Sequence, residues 1–328
     1  MIFGARWARA AMLVCAAACM SQLVTLQSAH AIYPERPVKV VIPYAAGGVN
    51  DVVARLLSVP LGEALGQPIV IENRTGAGSN VGTGSVARAE PDGYTLLMSA
   101  GAFTINPSLY RRIPYDPIKD FESVAEIAYF PILIAAQPNI GISKLGDLIA
   151  KAKAAPGSLN YSSPGAGTVS QLMVEALKLH SHLDIVHVPY AGAGPGLQAI
   201  LTGTVELGAV SVSAAVPMIR AGKLVGLVVL GEERWPDLPE VPTMAEAGLP
   251  NFDSWQGLFA PAGTPREIVD RLAEATRAVL RQPDIRQKLL AIGVAAADKG
   301  PQQLRARVLR EVPMWRDFLE KTGIKLEQ

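Results

Sequence analysis

Val38 to Asp51 reads V-K-V-V-I-P-Y-A-A-G-G-V-N-D. The β-branched run Val40-Val41-Ile42 meets Pro43 and the pair Gly47-Gly48, and a helical pattern follows at once. Strand, glycine-bearing turn and helix N-terminus in that order set backbone N–H groups where an anion can be received. Two later stretches share this build, Ser163 to Thr168 and Tyr190 to Gly196. The expectation is that the three turns face one another across a cleft. The plainer alternative is that their glycines only let helices pack on strands.

Outward from that stretch, strand-like and helix-like patterns alternate almost throughout, which argues an α/β fold with largely parallel sheets. Val52, Val53, Leu56, Leu57, Leu61 and Leu65 fall at roughly helical spacing before Gly66-Gln67-Pro68. Short strands are expected at Ile69–Ile71 and Tyr94–Ser99, with a small-residue helix between them. Asn106 to Phe121, carrying Pro107, Pro114 and Pro117, reads as irregular. Val124 to Ala136 is one extended run broken at Pro131, and a second βα series follows it up to Leu230. Trp255 to Ala260 is a further extended run. The last helices are expected after Thr264-Pro265, with Thr as cap and Pro at the first helical position. The pattern fits two α/β units, the second inserted in the first, with the chain crossing at Val124–Ala136 and near Leu224–Leu230. Two crossings make a hinge, and a ligand would sit between the units.

Composition narrows the function classes. Hydrophobic residues make up 49% and charged residues 18% of the 328, which suits a well-cored protein. The formal charge of +1 offers no basic field for nucleic acid. Residues 1–31 read as an export signal: Arg6 and Arg9, an apolar stretch from Ala10, and Ser28-Ala29-His30-Ala31 with small residues at both inspected positions. Cleavage after Ala31 would leave 28 basic against 29 acidic residues, a charge of −1. It would also remove Cys15 and Cys19, so the remaining chain holds no disulfide or thiol. A periplasmic location is expected.

Catalytic and metal signatures are thin. There is no G-x-S-x-G elbow, although Ser163 with His187, His180 or His182 could be imagined as parts of a hydrolase site. The histidines lack metal-ligand spacing with carboxylates. The run Gly76 to Gly82 is out of step with a dinucleotide fingerprint, and no Walker lysine follows a glycine loop. No metal, no cofactor and no enzymatic activity are expected. None of the three glycine-bearing turns contains Lys or Arg. An anion there must be held by backbone amides, hydroxyls and helix ends, which suits a compact carboxylate better than a nucleotide.

Several segments, in order, resemble the substrate-binding proteins of tripartite tricarboxylate transporters, the Bordetella uptake gene (Bug) family. They include Val38–Asp51, Glu72–Gly78, Pro91–Leu96, Tyr115-Asp116-Pro117, Tyr161–Thr168, Val188–Gly192, Val241-Pro242-Thr243 and Trp255 through Ala260-Pro261-Ala262-Gly263-Thr264-Pro265. The resemblance spans nearly all of the chain after the signal. It implies a two-lobed periplasmic binding protein of the type II-like Venus flytrap form, with two α/β lobes on a two-strand hinge. Lobe I would comprise 32–131 and 229–328, and lobe II 132–228. Carried over by position, the ligand-binding residues would be Tyr44, Ala46, Gly47, Gly48, Asn50, Asp51, Asn80, Ser99 and Gly101 from lobe I. Lobe II would add Ser163, Gly165, Gly167, Thr168, Tyr190, Gly192 and Ser211.

The departures from the family pattern bear on the ligand. Tyr44 replaces a frequent Phe, Asn50 a frequent Thr or Ser, Gln171 a common His, Ala191 a common Lys and Ala193 a common Ser. Val210 stands where an Asp often ends the strand. The second lobe is thus less charged than the family habit, which implies one carboxylate with a neutral or apolar remainder. The implied partners are a small organic carboxylate and the membrane permease subunits of a tripartite transporter, or else a sensor kinase. A monomer is expected. A secreted serine hydrolase with Ser163 as nucleophile stays as the alternative of another class.

Overall fold

The structure, a computed structural model, describes residues 33–190, 192–231, 233–249 and 254–324. The export signal, its cleavage point after Ala31 and its two cysteines lie outside the described residues, as does Ala191. The elements all belong to the unit that begins at Arg36.

Val38–Ile42 forms β1 and Val49–Leu65 forms α1, followed by β2 (Ile69–Asn73), α2 (Asn80–Ala87), β3 (Thr95–Ala100) and α3 (Ala102–Leu109). β1 pairs in parallel with β2 on one side and β3 on the other. Val53, Leu57, Leu61 and Leu65 bury one face of α1, while Val52 and Val59 face outward. Gly66 ends the helix in the left-handed conformation, φ 83°, and its N–H returns to the Gly62 carbonyl. That is a common way to close a helix, because glycine has no Cβ to clash there.

The helix α3 was not expected, because Pro107 lies inside it. A proline there leaves the carbonyl four residues back without its N–H partner. The Tyr115 hydroxyl donates to that carbonyl, Phe103 O, at 3.4 Å. The stretch up to Phe121 is therefore helix followed by loop, not loop throughout.

The run around Pro131 splits between two sheets. β4 (Phe121–Tyr129) stays in the first and β5 (Ile132–Ala136) opens the second. The second series then runs α4 (Leu145–Ala154), β6 (Asn160–Ser163), α5 (Val169–Ser181), β7 (Val186–Pro189), α6 (Ala193–Leu201), β8 (Leu207–Ser211), α7 (Val212–Arg220) and β9 (Val225–Leu230). The strand order is β7-β6-β8-β5-β9, with β6 parallel to both neighbours and β5 antiparallel to both of its own. β5 is buried on both faces. Ile132, Ile134 and Ala136 enter one apolar cluster and Leu133 and Ala135 another, as the two-residue period of a strand dictates.

The chain returns through β10 (Trp255–Pro261), α8 (Arg266–Leu280), α9 (Pro283–Ala291), β11 (Ala295–Lys299) and α10 (Pro301–Thr322). The first sheet is ordered β11-β4-β10-β3-β1-β2, and β10 and β4 are antiparallel to their neighbours. The sheets are therefore mixed rather than largely parallel. β11 was not anticipated, since Ala-Ala-Ala-Asp-Lys carries no β-branched or aromatic residue. Thr264 does not cap α8: its hydroxyl donates to Pro261 O at 2.7 Å, and Pro265 is the cap residue.

The molecule is thus two α/β lobes joined where the chain passes from β4 to β5 and from β9 to β10. The second passage begins later than the 229 expected. Val229 and Leu230 still pair with β5, and Thr243 bridges to Val229. Trp235, Leu238 and Val241 then cover the Leu133 face of the second sheet, and Met244 and Leu249 join the cluster of Ile132. Apolar residues without helix or strand period keep this passage on the second lobe. α10 also links clusters: Leu304 and Val308 pack with Phe103 and Trp255, whereas Trp315 and Leu319 belong to the cluster that contains β5 residues.

Candidate binding cleft

Parallel neighbours in a sheet end on the same edge, so the turns that follow them lie side by side. In the first lobe these are the turns after β1, β2 and β3; in the second, those after β6, β7 and β8. Five of them begin helices at sequence-expected site residues: Gly48 caps α1, Gly101 α3, Thr168 α5, Gly192 α6 and Ser211 α7. Gly101, capping α3, is buried and lies so close to the second lobe that a Cβ on it would meet Val169 Cγ2 at 3.4 Å. The Gly101 and Thr168 ends therefore oppose each other across the lobes.

The first-lobe loop is held from beneath. Asp51, 2% exposed, accepts from Gly47 N at 2.9 Å, from Arg55 Nε at 3.0 and 2.9 Å, and from Asn73 Nδ2 at 2.9 Å. Arg55 above all, then the Gly47 amide and Asn73, hold its carboxyl well below the usual range, at about 2. Asn73 Nδ2 also reaches Tyr44 O at 3.1 Å. These bonds engage the Asp51 oxygens in shaping the loop. Ala46, Gly47 and Gly48 are exposed, and the first-turn amides of α1 have no acceptor within the helix. Tyr44 Oη lies 3.4 Å from Ser99 Oγ and accepts from Ala100 N at 3.2 Å. Burial raises its pKa, so the phenol stays neutral. Asn80 is buried and its Oδ1 accepts from Asn106 Nδ2 at 2.8 Å.

Gln256, at the start of β10, escaped the sequence reading. It is fully buried and donates from Nε2 to Asn50 O at 3.1 Å. Its Oε1 and Asn50 Oδ1 have no partner among the described residues. Only its place one residue after Trp255, in a buried strand, could have drawn notice.

In the second lobe, Thr168 Oγ1 accepts from Gln171 N at 3.4 Å and donates to Gly165 O at 2.7 Å. Gln171 Oε1 takes the Gly167 N–H at 2.7 Å. The sequence T-V-S-Q carries the capping-box spacing that signals this. Tyr190 N and Gly192 N bond to Ser163 O and Pro164 O, locking the β7 turn onto the β6 turn. Ser213 Oγ donates to Ser211 Oγ at 3.4 Å.

Ser163 and His187 do come together, with Oγ to Nε2 at 2.7 Å. Ser163 is buried, and its Oγ also accepts from Gly165 N at 3.2 Å and donates to Gly165 O at 3.0 Å. The single hydroxyl proton has two acceptors in reach, Gly165 O and His187 Nε2. The nearby carboxylate of Glu175 is taken by Tyr161 Oη at 2.6 Å and Lys178 Nζ at 2.9 Å rather than by the imidazole. Burial lowers the His187 pKa, and its ring stacks on Tyr161 at 4.8 Å. The contact braces a turn; it does not build a triad. Among the described residues no group of three His, Cys, Asp or Glu side chains could hold a metal.

Two α/β lobes with glycine turns and helix N-termini on their facing edges define a solute-binding protein of the periplasmic type, not an enzyme. The chain belongs to the tripartite tricarboxylate transporter receptor family, whose model matches residues 53–324. It is 33% identical over 299 residues to protein BugT of Bordetella pertussis, covering 90% of this chain and 92% of that one. Among solved structures, the Rhodopseudomonas palustris protein Rpa4515 with adipate is 34% identical, with a TM-score of 0.75 over 89% of this chain and 99% of that one. MatC from the same organism, with bound malate, is 37% identical, with a TM-score of 0.71 over 88% and all of that chain.

Proposed function

We propose that this protein is exported to the periplasm and captures a small organic carboxylate between its lobes for delivery to a tripartite-type membrane permease. The observation that carries the reading is the opposition of uncapped or lightly capped helix N-termini on the two lobe edges, with no Lys or Arg among the expected contact residues. Backbone amides of the first turns of α1, α5, α6 and α7 would receive the carboxylate, and Tyr44, Ser99, Thr168 and Ser211 would border it. Asn80, Gly101, Ser163, Gly165, Gly167, Tyr190 and Gly192 would shape the walls, and Asp51 would act through the loop it holds. Relatives with adipate and malate support a carboxylate as the ligand class. The absence of a cation favours a ligand with one charge to neutralise and a neutral remainder. Closure would turn the lobes about the passages after β4 and β9, so that the moving parts are roughly 33–130 with 254–311 against 132–249.

The test is thermal unfolding with a panel of mono- and dicarboxylates, on protein refolded to strip any carried ligand. A bound ligand at 100 times its dissociation constant stabilises by about 2.7 kcal/mol. At least one small carboxylate should raise the melting temperature. A flat response across the panel would overturn the reading. Loss of uptake of that carboxylate on deleting the gene, with its transcriptional response intact, would assign delivery rather than sensing.

A further inference from the structure

Gln256 lies where the first sheet meets the cleft. β10 runs antiparallel to β3, and Gln256 stands opposite Ala100, the residue before Gly101. The start of β10 and the turn after β3 therefore share one edge. Trp255 packs with Leu304, and a Cβ on Gly257 would meet Leu304 Cδ2 at 3.1 Å, so both face α10. Side chains alternate along a strand, which sends Gln256 to the opposite face, beneath the first turn of α1. Its Nε2 donates there to Asn50 O at 3.1 Å.

Two acceptors at this place are spare. Gln256 is fully buried, yet its Oε1 has no hydrogen-bond partner among the described residues, and neither has the covered Oδ1 of Asn50. The bond to Asn50 O fixes which end of the Gln256 carboxamide is which, because an oxygen turned toward that carbonyl would be repelled. Nε2 and Oε1 belong to one planar group, so Oε1 is held beside the residue whose own Oδ1 is unpaired. A buried acceptor without a donor keeps the cost of its lost hydration, and native proteins leave few of them. What is missing here is a donor, the opposite of what the helix amides lack.

We propose that Gln256 and Asn50 are specificity-determining residues that accept a hydroxyl donated by the ligand, which makes the ligand a hydroxycarboxylate. The inference rests on the carboxylate reading and adds to it: helix amides take the carboxylate, and the spare oxygens take an O–H from its neutral remainder. An ammonium is the poorer fit. When buried it needs an anionic partner, and the carboxylate of the same helix turn, Asp51, is already engaged by Gly47, Arg55 and Asn73. Carboxamide oxygens pair with a neutral hydroxyl without that cost.

The probes are matched pairs that differ by one hydroxyl: lactate and propionate, β-hydroxybutyrate and butyrate, malate and succinate. Each is titrated by calorimetry into protein refolded to strip carried ligand. At least one hydroxylated member should bind at least about tenfold more tightly than its partner, since the deoxy compound leaves the two oxygens unpaired. Gln256→Met, close in size and without the acceptor, should bring that ratio near unity, and Asn50→Ala should lower it. Thermal unfolding checks that each variant is folded. Equal affinities within every pair, as a water resident on the two oxygens would give, overturn the proposal. So do failure of every hydroxylated member to bind, a ratio that survives both substitutions, and tighter binding of aspartate than of malate. Any of these, with some other carboxylate still raising the melting temperature, leaves the carboxylate reading standing, whereas a flat thermal panel removes that reading itself.

Discussion

At the scale of single residues, Asp51 joins stability to the shape of the cleft loop. Its carboxyl sits near 2 in the folded chain, held there chiefly by Arg55. A depressed carboxyl pKa contributes stability that is present above the unfolded value and is lost as pH falls through the folded one. Wild-type protein should therefore lose stability between about pH 4 and 2. Asp51→Asn should cost about 1–2 kcal/mol at pH 7, discounted for the half-exposed Arg55, and should flatten that acid limb. Urea unfolding across pH reads both. An unchanged acid limb would remove Asp51 from this role. Ser163→Ala belongs at the same scale: it removes the brace between Gly165 and His187 and should cost about 1 kcal/mol.

Among the elements, α3 depends on a substitute bond. Tyr115→Phe leaves the Phe103 carbonyl unpaired in a buried ring cluster, where Phe103 lies 4.4 Å from Phe259 and 5.8 Å from Tyr115. The expected cost is about 1–2 kcal/mol in denaturant unfolding. The turn from α9 into β11 approaches α7 more closely than any side chain allows: a Cβ on Gly293, φ 75°, would lie 2.0 Å from Ser213 Cβ. Gly293→Ala should therefore destabilise by more than the roughly 1 kcal/mol of backbone strain alone, and Ser213→Gly in the same chain should recover part of the loss. These elements also mark where sequence reading succeeded and failed. β1, α1 and β5 carry apolar runs whose period states their form and faces. α3 was hidden by Pro107, whose compensation comes from Tyr115, and β11 by residues that join the sheet only because β4 offers an edge. The glycine turns were legible as turns, because Gly47, Gly167 and Gly192 take positive φ values that favour glycine. Asp51's inward role was not, because a carboxylate at a helix start reads as a ligand contact as readily as a partner of Gly47 and Arg55 four residues away. Gln256 was not, because its partner Asn50 lies far off in the chain.

Across the whole molecule, the lobes share more than their two chain passages. Trp315, almost fully buried late in α10, lies in an apolar cluster that also holds β5 residues, while Leu304 of the same helix packs beside Trp255. Arg307 and Glu311 anchor the middle of the helix, to Glu126 at 2.9 Å and to Trp255 Nε1 at 2.9 Å. Trp315→Ala should cost about 3–5 kcal/mol by the cavity it leaves, read as a fall in the urea midpoint. That the turns after β1, β2 and β3, and those after β6, β7 and β8, share a sheet edge followed from the strand–turn–helix order, since these strands run parallel. The late return of the chain after Thr243 did not, since apolar residues without period give no strand or helix to read.

The central claim is that helix ends and hydroxyls, without a cation, hold one carboxylate between the lobes. Its most direct test is calorimetric titration of refolded protein with the best carboxylate of the panel and with the analogue in which that carboxylate is a carboxamide. The carboxamide should bind at least about tenfold more weakly, the loss of charge-assisted hydrogen bonds to amides. Equal affinity for the two would contradict the account.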